Sequence, residues 1–181
     1  MREVTFNYGL QKIGTSAFYN CSSLESITIP STVTEIGDYA FQYCSKLKDV
    51  DSTLREVALN DGLQKIGDYA FYKCPSLKSI TLPSTLVDIG ISAFKYCDNL
   101  KVVTLNDGLQ NIGRGLFNNC KSLESITLPS TLVEIGPNAF ESCCNLKEVT
   151  FNNGLQKIRG VSFYNCTSLT SIILPSTISW S

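Results

Sequence analysis

One residue type recurs at a fixed interval along this chain, and that interval limits what the chain can fold into. Cys21, Cys44, Cys74, Cys97, Cys120, Cys143 and Cys166 are separated by 23, 30, 23, 23, 23 and 23 residues. The long interval is the unit plus seven. Without those seven residues, near positions 48–54, the 181-residue chain is seven units of 23 plus 13. Other landmarks keep the same step. Phe18, Phe41, Phe71, Phe94, Phe117, Phe140 and Phe163 each stand three residues before a cysteine. An Ile stands five before each Phe, from Ile13 to Ile158, and a Leu three after each cysteine, from Leu24 to Leu169. Fixed apolar positions with freely varying ones between them mean that every unit buries the same side chains against its neighbours. That is the signature of a solenoid.

A period of 46 overlies the first. Units alternate between a Pro-Ser-Thr version (Pro30, Pro83, Pro129, Pro175) and an Asn-x-Gly version (Asn60 and Gly62, Asn106 and Gly108, Asn152 and Gly154). Both are turn chemistry, because Pro fixes φ whereas Asn and Gly tolerate positive φ. The alternation reads as duplication of a two-unit block. Ahead of each turn, L-x-x-I-x-L reads as a short strand: between Leu77 and Leu82, Ile80 and Leu82 alternate inward around Thr81. The Ile89-Gly90 step ends a shorter extended stretch. Ala93-Phe94 to Cys97 reads as one helical or 3₁₀ turn, too short to stand alone. The expected fold is α/β, mostly β: a single right-handed solenoid of about eight rungs, with short parallel strands, one-turn helices and the seven-residue insertion.

The motif L-x-x-I-x-L-P-S-T-L-x-x-I-G-x-x-A-F-x-x-C resembles the BspA-like, or Treponema-type, class of leucine-rich repeats over nearly the whole chain. Arg159 breaks its Gly column and Ser162 its small-residue column. The resemblance implies a surface or secreted protein engaged in adhesion to host matrix proteins or in co-aggregation.

Composition excludes several other classes. A formal net charge of −1 gives no electrostatic footprint for nucleic acid or an anionic membrane. No apolar run approaches the ~20 residues of a membrane-spanning helix. There is no histidine, which removes Ser-His-Asp and Cys-His catalysis together with the usual zinc-hydrolase sites. No phosphate-binding loop or nucleophile elbow is present. No enzyme activity, cofactor or metal is expected.

Four columns could still carry chemistry. Neighbouring cysteines stacked ~4.8 Å apart fall inside the Cα separation of a disulfide, ~4.4–6.8 Å. Parallel side chains are nevertheless poor geometry for a bridge, and a straight row cannot converge tetrahedrally on zinc. A buried ladder of small apolar thiols is expected instead. Cys144, one position past the column, is expected nearer solvent and is the candidate reactive thiol. A threonine column (Thr5, Thr28, Thr81, Thr104, Thr127, Thr150) lacks the second threonine column of an ice-binding face and reads as a solvent-facing strand surface. Charges one residue before the repeating Ile (Lys12, Glu35, Lys65, Asp88, Asn111, Glu134, Lys157) alternate in sign, which favours register rather than a catalytic dyad. Two glycosylation sequons, at Asn20 and Asn165, overlap the repeat consensus.

The fourth column is aromatic. Tyr19, Tyr39, Tyr43, Tyr69, Tyr72 and Tyr96 occupy free positions flanking the Phe of the first four units. Tyr offers amphipathic contact area with little entropy to lose. These residues are the first candidate contact surface, and the strand face around Ser79, Thr81, Val102 and Thr104 is the second. The expected function is a non-catalytic binding or adhesion module for a protein or glycan partner at a cell surface; an architectural spacer in a larger surface protein is the alternative. Neither end carries a polar cap, so a fragment of a longer array, self-associating through its apolar ends, is also expected.

Overall fold

The computed structural model describes residues 2–48 and 57–180. The repeat builds a parallel β-solenoid with two strand series. The first comes from L-x-x-I-x-L: β1 (Glu3–Thr5), β3 (Ser26–Thr28), β5 (Val57–Ala58), β7 (Ser79–Leu82), β9 (Val102–Leu105), β11 (Ser125–Thr127) and β13 (Glu148–Thr150). The second comes from the residue pair ending at each repeated Ile: β2 (Lys12–Ile13), β4 (Glu35–Ile36), β6 (Lys65–Ile66), β8 (Asp88–Ile89), β10 (Asn111–Ile112), β12 (Glu134–Ile135) and β14 (Lys157–Ile158). β15 (Ser179–Trp180) adds an eighth strand to that series. The pairings join equivalent residues of adjacent coils, as in Ile80↔Val103 and Ile13↔Ile36, except that β15 pairs β14 one residue out of step, Ile158 facing Trp180. Ile36 pairs Ile66 across the long interval, so the seven extra residues leave the second sheet in register. The insertion itself lies, apart from Lys48, outside the described residues.

The Ile-Gly corners at Gly37, Gly67, Gly90 and Gly136 bring consecutive coils into close contact. The Gly37 N–H donates to the Ile13 carbonyl at 2.8 Å, and a Cβ on Gly37 would lie 2.6 Å from the Thr15 nitrogen. No side chain fits there.

The Phe-to-Cys segment differs from the helical turn expected of it: no helix occurs among the described residues. It is a run of overlapping turns. The residues two before and two after each Phe sit at positive φ, for example Tyr39 at 57° and Tyr43 at 63°. Alternate N–H groups therefore point in different directions. Those of Tyr39, Phe41 and Tyr43 donate to the Asp68, Ala70 and Tyr72 carbonyls of the next coil at 2.8, 2.7 and 2.9 Å. Those of Ala40, Gln42 and Cys44 close local turns onto Gly37, Tyr39 and Phe41. A helical turn would spend every N–H within its own segment and give the neighbouring coil nothing to bind.

The Pro-Ser-Thr and Asn-x-Gly turns are complementary. Thr85 and Thr131 donate their hydroxyls to the Leu63 and Leu109 carbonyls of the preceding Asn-x-Gly coil, at 2.8 and 2.9 Å. Asn60 and Asn152 donate their amides to the Pro30 and Pro129 carbonyls of the preceding Pro-Ser-Thr coil, at 3.0 and 2.5 Å. The 46-residue period is thus a stacking code, beyond a record of duplication.

Both sheets break at the same coil. β8 is not laddered to β10, nor β9 to β11. The Phe side stays closed there: the Phe94 N–H still donates to the Leu116 carbonyl at 3.1 Å. The seam separates a first block, running to β9, from a second block beginning at β10.

Candidate functional site

The core is a stack of rings. Seven phenylalanines, Phe18 to Phe163, stack in sequence with centroids 5.2–5.7 Å apart and planes within 18°. Phe41, Phe71, Phe94, Phe117 and Phe140 are fully buried. The spacing is that of offset stacking rather than a face-to-face sandwich.

The thiol column runs beside the rings and is more than small apolar filling. Each buried thiol points at the Phe carbonyl of the coil before it: Cys44 to Phe18, Cys74 to Phe41 and Cys97 to Phe71 at 3.2 Å, and Cys166 to Phe140 at 3.0 Å. The thiol supplies a donor to a carbonyl with spare acceptor capacity. Burial pushes these thiols up, Cys44 and Cys97 to about 12 and Cys166 to about 11, so at neutral pH they remain protonated donors. All eight cysteines are unbridged. Cys144 is half-buried, its thiol 3.4 Å from the Ser142 carbonyl. Cys21 in the first coil is half-buried as well, a second accessible thiol that the column pattern did not single out.

The tyrosines form one continuous surface. Tyr19, Tyr43, Tyr72 and Tyr96 make an edge-to-face ladder, with centroids 5.8, 5.7 and 5.6 Å apart and planes at 87–89°. The ladder alternates between the positions one and two residues after each Phe. Tyr39 stacks on Tyr69 at 5.4 Å, and Tyr69 meets Tyr72 edge-on at 5.6 Å. Tyr19 is 50% exposed and Tyr39 37%, whereas Tyr43, Tyr69, Tyr72 and Tyr96 are half-buried. The rings therefore cover the Phe stack and present a surface at once. Burial and the neighbouring phenols push the Tyr72 hydroxyl up.

Two lysines that no sequence pattern singles out cap this surface. The Lys73 ammonium lies 5.3 Å from the Tyr43 ring centroid and 5.6 Å from those of Tyr72 and Tyr96. Lys95 lies 5.2 Å from that of Tyr96. Cation–π attraction acts at these distances. Tyr43, Tyr96, Lys73, Pro75, Ser45 and Asp98 line a groove of about 280 Å³.

Beyond the seam the same repeat positions hold a different chemistry. The Asn118 and Asn138 amides both donate to Glu141 Oε2, at 2.8 and 2.6 Å, and Asn119 donates to Asn118 Oδ1. No aromatic ladder continues there.

The strand face is divided. Val102 is 46% exposed and Thr104 is exposed, Thr81 is half-buried, and Ser79 is buried at 5%. Ser79 is therefore withdrawn from the second candidate surface. Val102 and Thr104 line a groove of about 360 Å³ at the seam between β9 and β11. Lys101–Glu124 (3.0 Å) and Lys121–Asp98 (3.3 Å) cross that seam as ion pairs.

In the charge column, Lys12 pairs Glu35 at 2.7 Å and Lys65 pairs Asp88 at 3.2 Å. Glu134 instead takes Arg159, at 2.9 Å from Nε and 3.3 Å from Nη2. The residue that breaks the Gly column thus supplies the cation.

The chain matches the family described as the BspA type leucine-rich repeat region, in six copies, over residues 1–61 and 64–180. It resembles the crystal structure of a leucine-rich repeat protein from Bacteroides ovatus, with 31% identity and a TM-score of 0.75, covering 98% of this chain and 52% of that one. A leucine-rich repeat protein of T. pallidum shows 31% identity and a TM-score of 0.69, covering 90% of this chain and 74% of that one. A leucine-rich cell surface protein of Faecalibacterium prausnitzii, 23% identical with a TM-score of 0.66, shares the fold over 100% of this chain and 60% of that one. No curated protein matches. The chain spans about half the length of the Bacteroides protein. It belongs to the BspA-type leucine-rich repeat family.

Proposed function

We propose that this BspA-type leucine-rich repeat chain is a non-catalytic binding module acting at a cell surface, and that its partner meets the tyrosine-bearing flank. The observation that carries this reading is the Tyr19–Tyr43–Tyr72–Tyr96 ladder, built at positions the repeat leaves free. A spine of seven Phe rings already fills the interior, and the second block folds on the same spine without the ladder. Aromatic side chains in such a band supply rigid, amphipathic contact area, the quality that places Tyr at interaction hot spots. Adhesion, and a surface setting of the kind that the description of the Faecalibacterium protein names, belong to this proposal.

The test is an array of extracellular-matrix proteins and host-surface glycans probed with the 181-residue chain. Replacing Tyr69, Tyr72 and Tyr96 by Ser should weaken the strongest interaction at least tenfold. Replacing Asn118 and Asn138 by Ala, on the second block, should leave it within twofold. Full binding by the tyrosine variant would refute the surface, and silence across the whole array would favour a spacer.

A further inference from the structure

The groove over the tyrosines is lined by the Lys73 ammonium, and the Lys95 ammonium stands beside it over the Tyr96 ring. Neither Lys73 nor Lys95 meets a carboxylate within ion-pair distance among the described residues, whereas Lys12, Lys65, Lys101 and Lys121 each do. The nearby carboxylates have partners of their own: Glu141, which lines a cavity with Lys95, accepts the Asn118 and Asn138 amides. Asp98, in the groove wall, faces Lys121 at 3.3 Å. Asp38 Oδ1 accepts the Asp68 N–H at 2.9 Å, and Asp68 Oδ1 accepts the Ile91 N–H at 2.7 Å.

From this arrangement we propose that the tyrosine groove binds an acidic glycan, a polysaccharide carrying uronic-acid carboxylates. The inference rests on the contact surface proposed above and adds the chemical class of its ligand. A pyranose ring is amphipathic: its C–H face packs on an aromatic ring while its hydroxyls stay hydrated, which suits a shallow, half-exposed groove better than a closed pocket. A carboxylate on alternate sugars would pair with Lys73 and Lys95, which both stand within 5.6 Å of the Tyr96 ring centroid. A neutral glycan would stack on the same rings but leave both ammoniums unused. An acidic peptide would find the charges but fewer flat apolar faces to lay on the tyrosines.

The probe is a hyaluronan octasaccharide, compared by calorimetry with a chitin oligosaccharide of equal length and with poly-glutamate. Hyaluronan should bind at least tenfold more tightly than either, with affinity falling as salt rises. The Lys73→Gln/Lys95→Gln variant should lose tenfold or more and flatten the salt dependence at an unchanged melting temperature. The Lys147→Gln/Lys157→Gln variant, altered away from the groove, should bind within twofold of the parent. Equal affinity for the neutral oligosaccharide, equal affinity for poly-glutamate, or an unchanged Lys73→Gln/Lys95→Gln variant would each overturn the inference. If hyaluronan fails while the tyrosine variant still loses its array partner, the ligand class is wrong and the contact surface stands. If the tyrosine variant also keeps that partner, the surface itself is wrong.

Discussion

The two blocks on either side of the seam share an interior and differ on one flank. Before it, the positions around Phe41 and Phe71 hold Tyr39, Tyr43, Tyr69 and Tyr72, joined ring to ring. After it, the positions around Phe117 and Phe140 hold Asn118, Asn119, Asn138 and Glu141, joined by hydrogen bonds. Both sets stand on the same turns with the same left-handed residues, Tyr39 at φ 57° and Asn138 at 60°. Asn accepts that conformation readily, whereas a bulky residue there is uncommon. The first block thus places large rings on backbone that favours small polar side chains. That contrast is the strongest argument that the rings serve contact as well as cover.

The largest effect should come from what the blocks share. Burial raises the column thiols well above the ordinary thiol pKa of 9.0, Cys97 to about 12. From pH 9 upward the unfolded chain therefore gives up thiol protons that the folded chain retains. Stability is fully present below pH 9 and falls as pH rises toward 12, by about 1.4 kcal/mol per pH unit for each thiol involved. Melting followed by circular dichroism should show a steep decline above pH 9 across both blocks. Cys97→Ala should be less stable at pH 7 but show a shallower alkaline slope; an equal slope would remove the buried thiols as the cause.

Phe94→Ala comes next, since Phe94 stacks on Phe117 across the seam at 5.7 Å where neither sheet is laddered. The loss should be about 3–5 kcal/mol. Because stability passes only between neighbouring coils, calorimetry should resolve two transitions, one for each block. A single, slightly shifted transition would show that the seam does not divide the molecule.

Flank variants should separate the blocks more gently. An aromatic pair is worth about 0.5–1.5 kcal/mol beyond area burial, so replacing Tyr69, Tyr72 and Tyr96 by Ser should lower the melting temperature far less than Phe94→Ala. Melting as early as Phe94→Ala would make the tyrosines core cover and erase the contrast. Asn138→Ala, which removes one of two amides from Glu141, should cost about 1 kcal/mol and leave binding intact. Arg159→Gln should be the mildest, because an exposed ion pair contributes little to stability. The Arg159 guanidinium holds the Glu134 carboxyl below its usual range, so that small contribution should fade on acidification as Glu134 protonates. A loss unaffected by pH would assign Arg159 to packing instead.

The sequence by itself determined the coil. The 23-residue spacing of Phe, Cys, Ile and Leu already names the buried side chains, because a position repeated in every unit meets the same neighbours in every coil. The parallel strands and the sign alternation at Lys12, Glu35, Lys65 and Asp88 follow from the same periodicity. Tertiary structure alone decided what depends on the neighbouring coil. The Ala-Phe-x-x-Cys segment is a series of turns because its alternate N–H groups are claimed by carbonyls about 23 residues away. Ser79 is buried although it shares a column with exposed Val102. Glu134 chose Arg159 over Lys157, since guanidinium reach, not strand order, decides that pair. The thiol-to-Phe bonds, the interlocking of Thr85 with Leu63 and of Asn60 with Pro30, and Lys73 over Tyr43 and Tyr96 are contacts between coils. A one-dimensional pattern shows which residues stack, but the direction of each donor is set only when the next coil is in place.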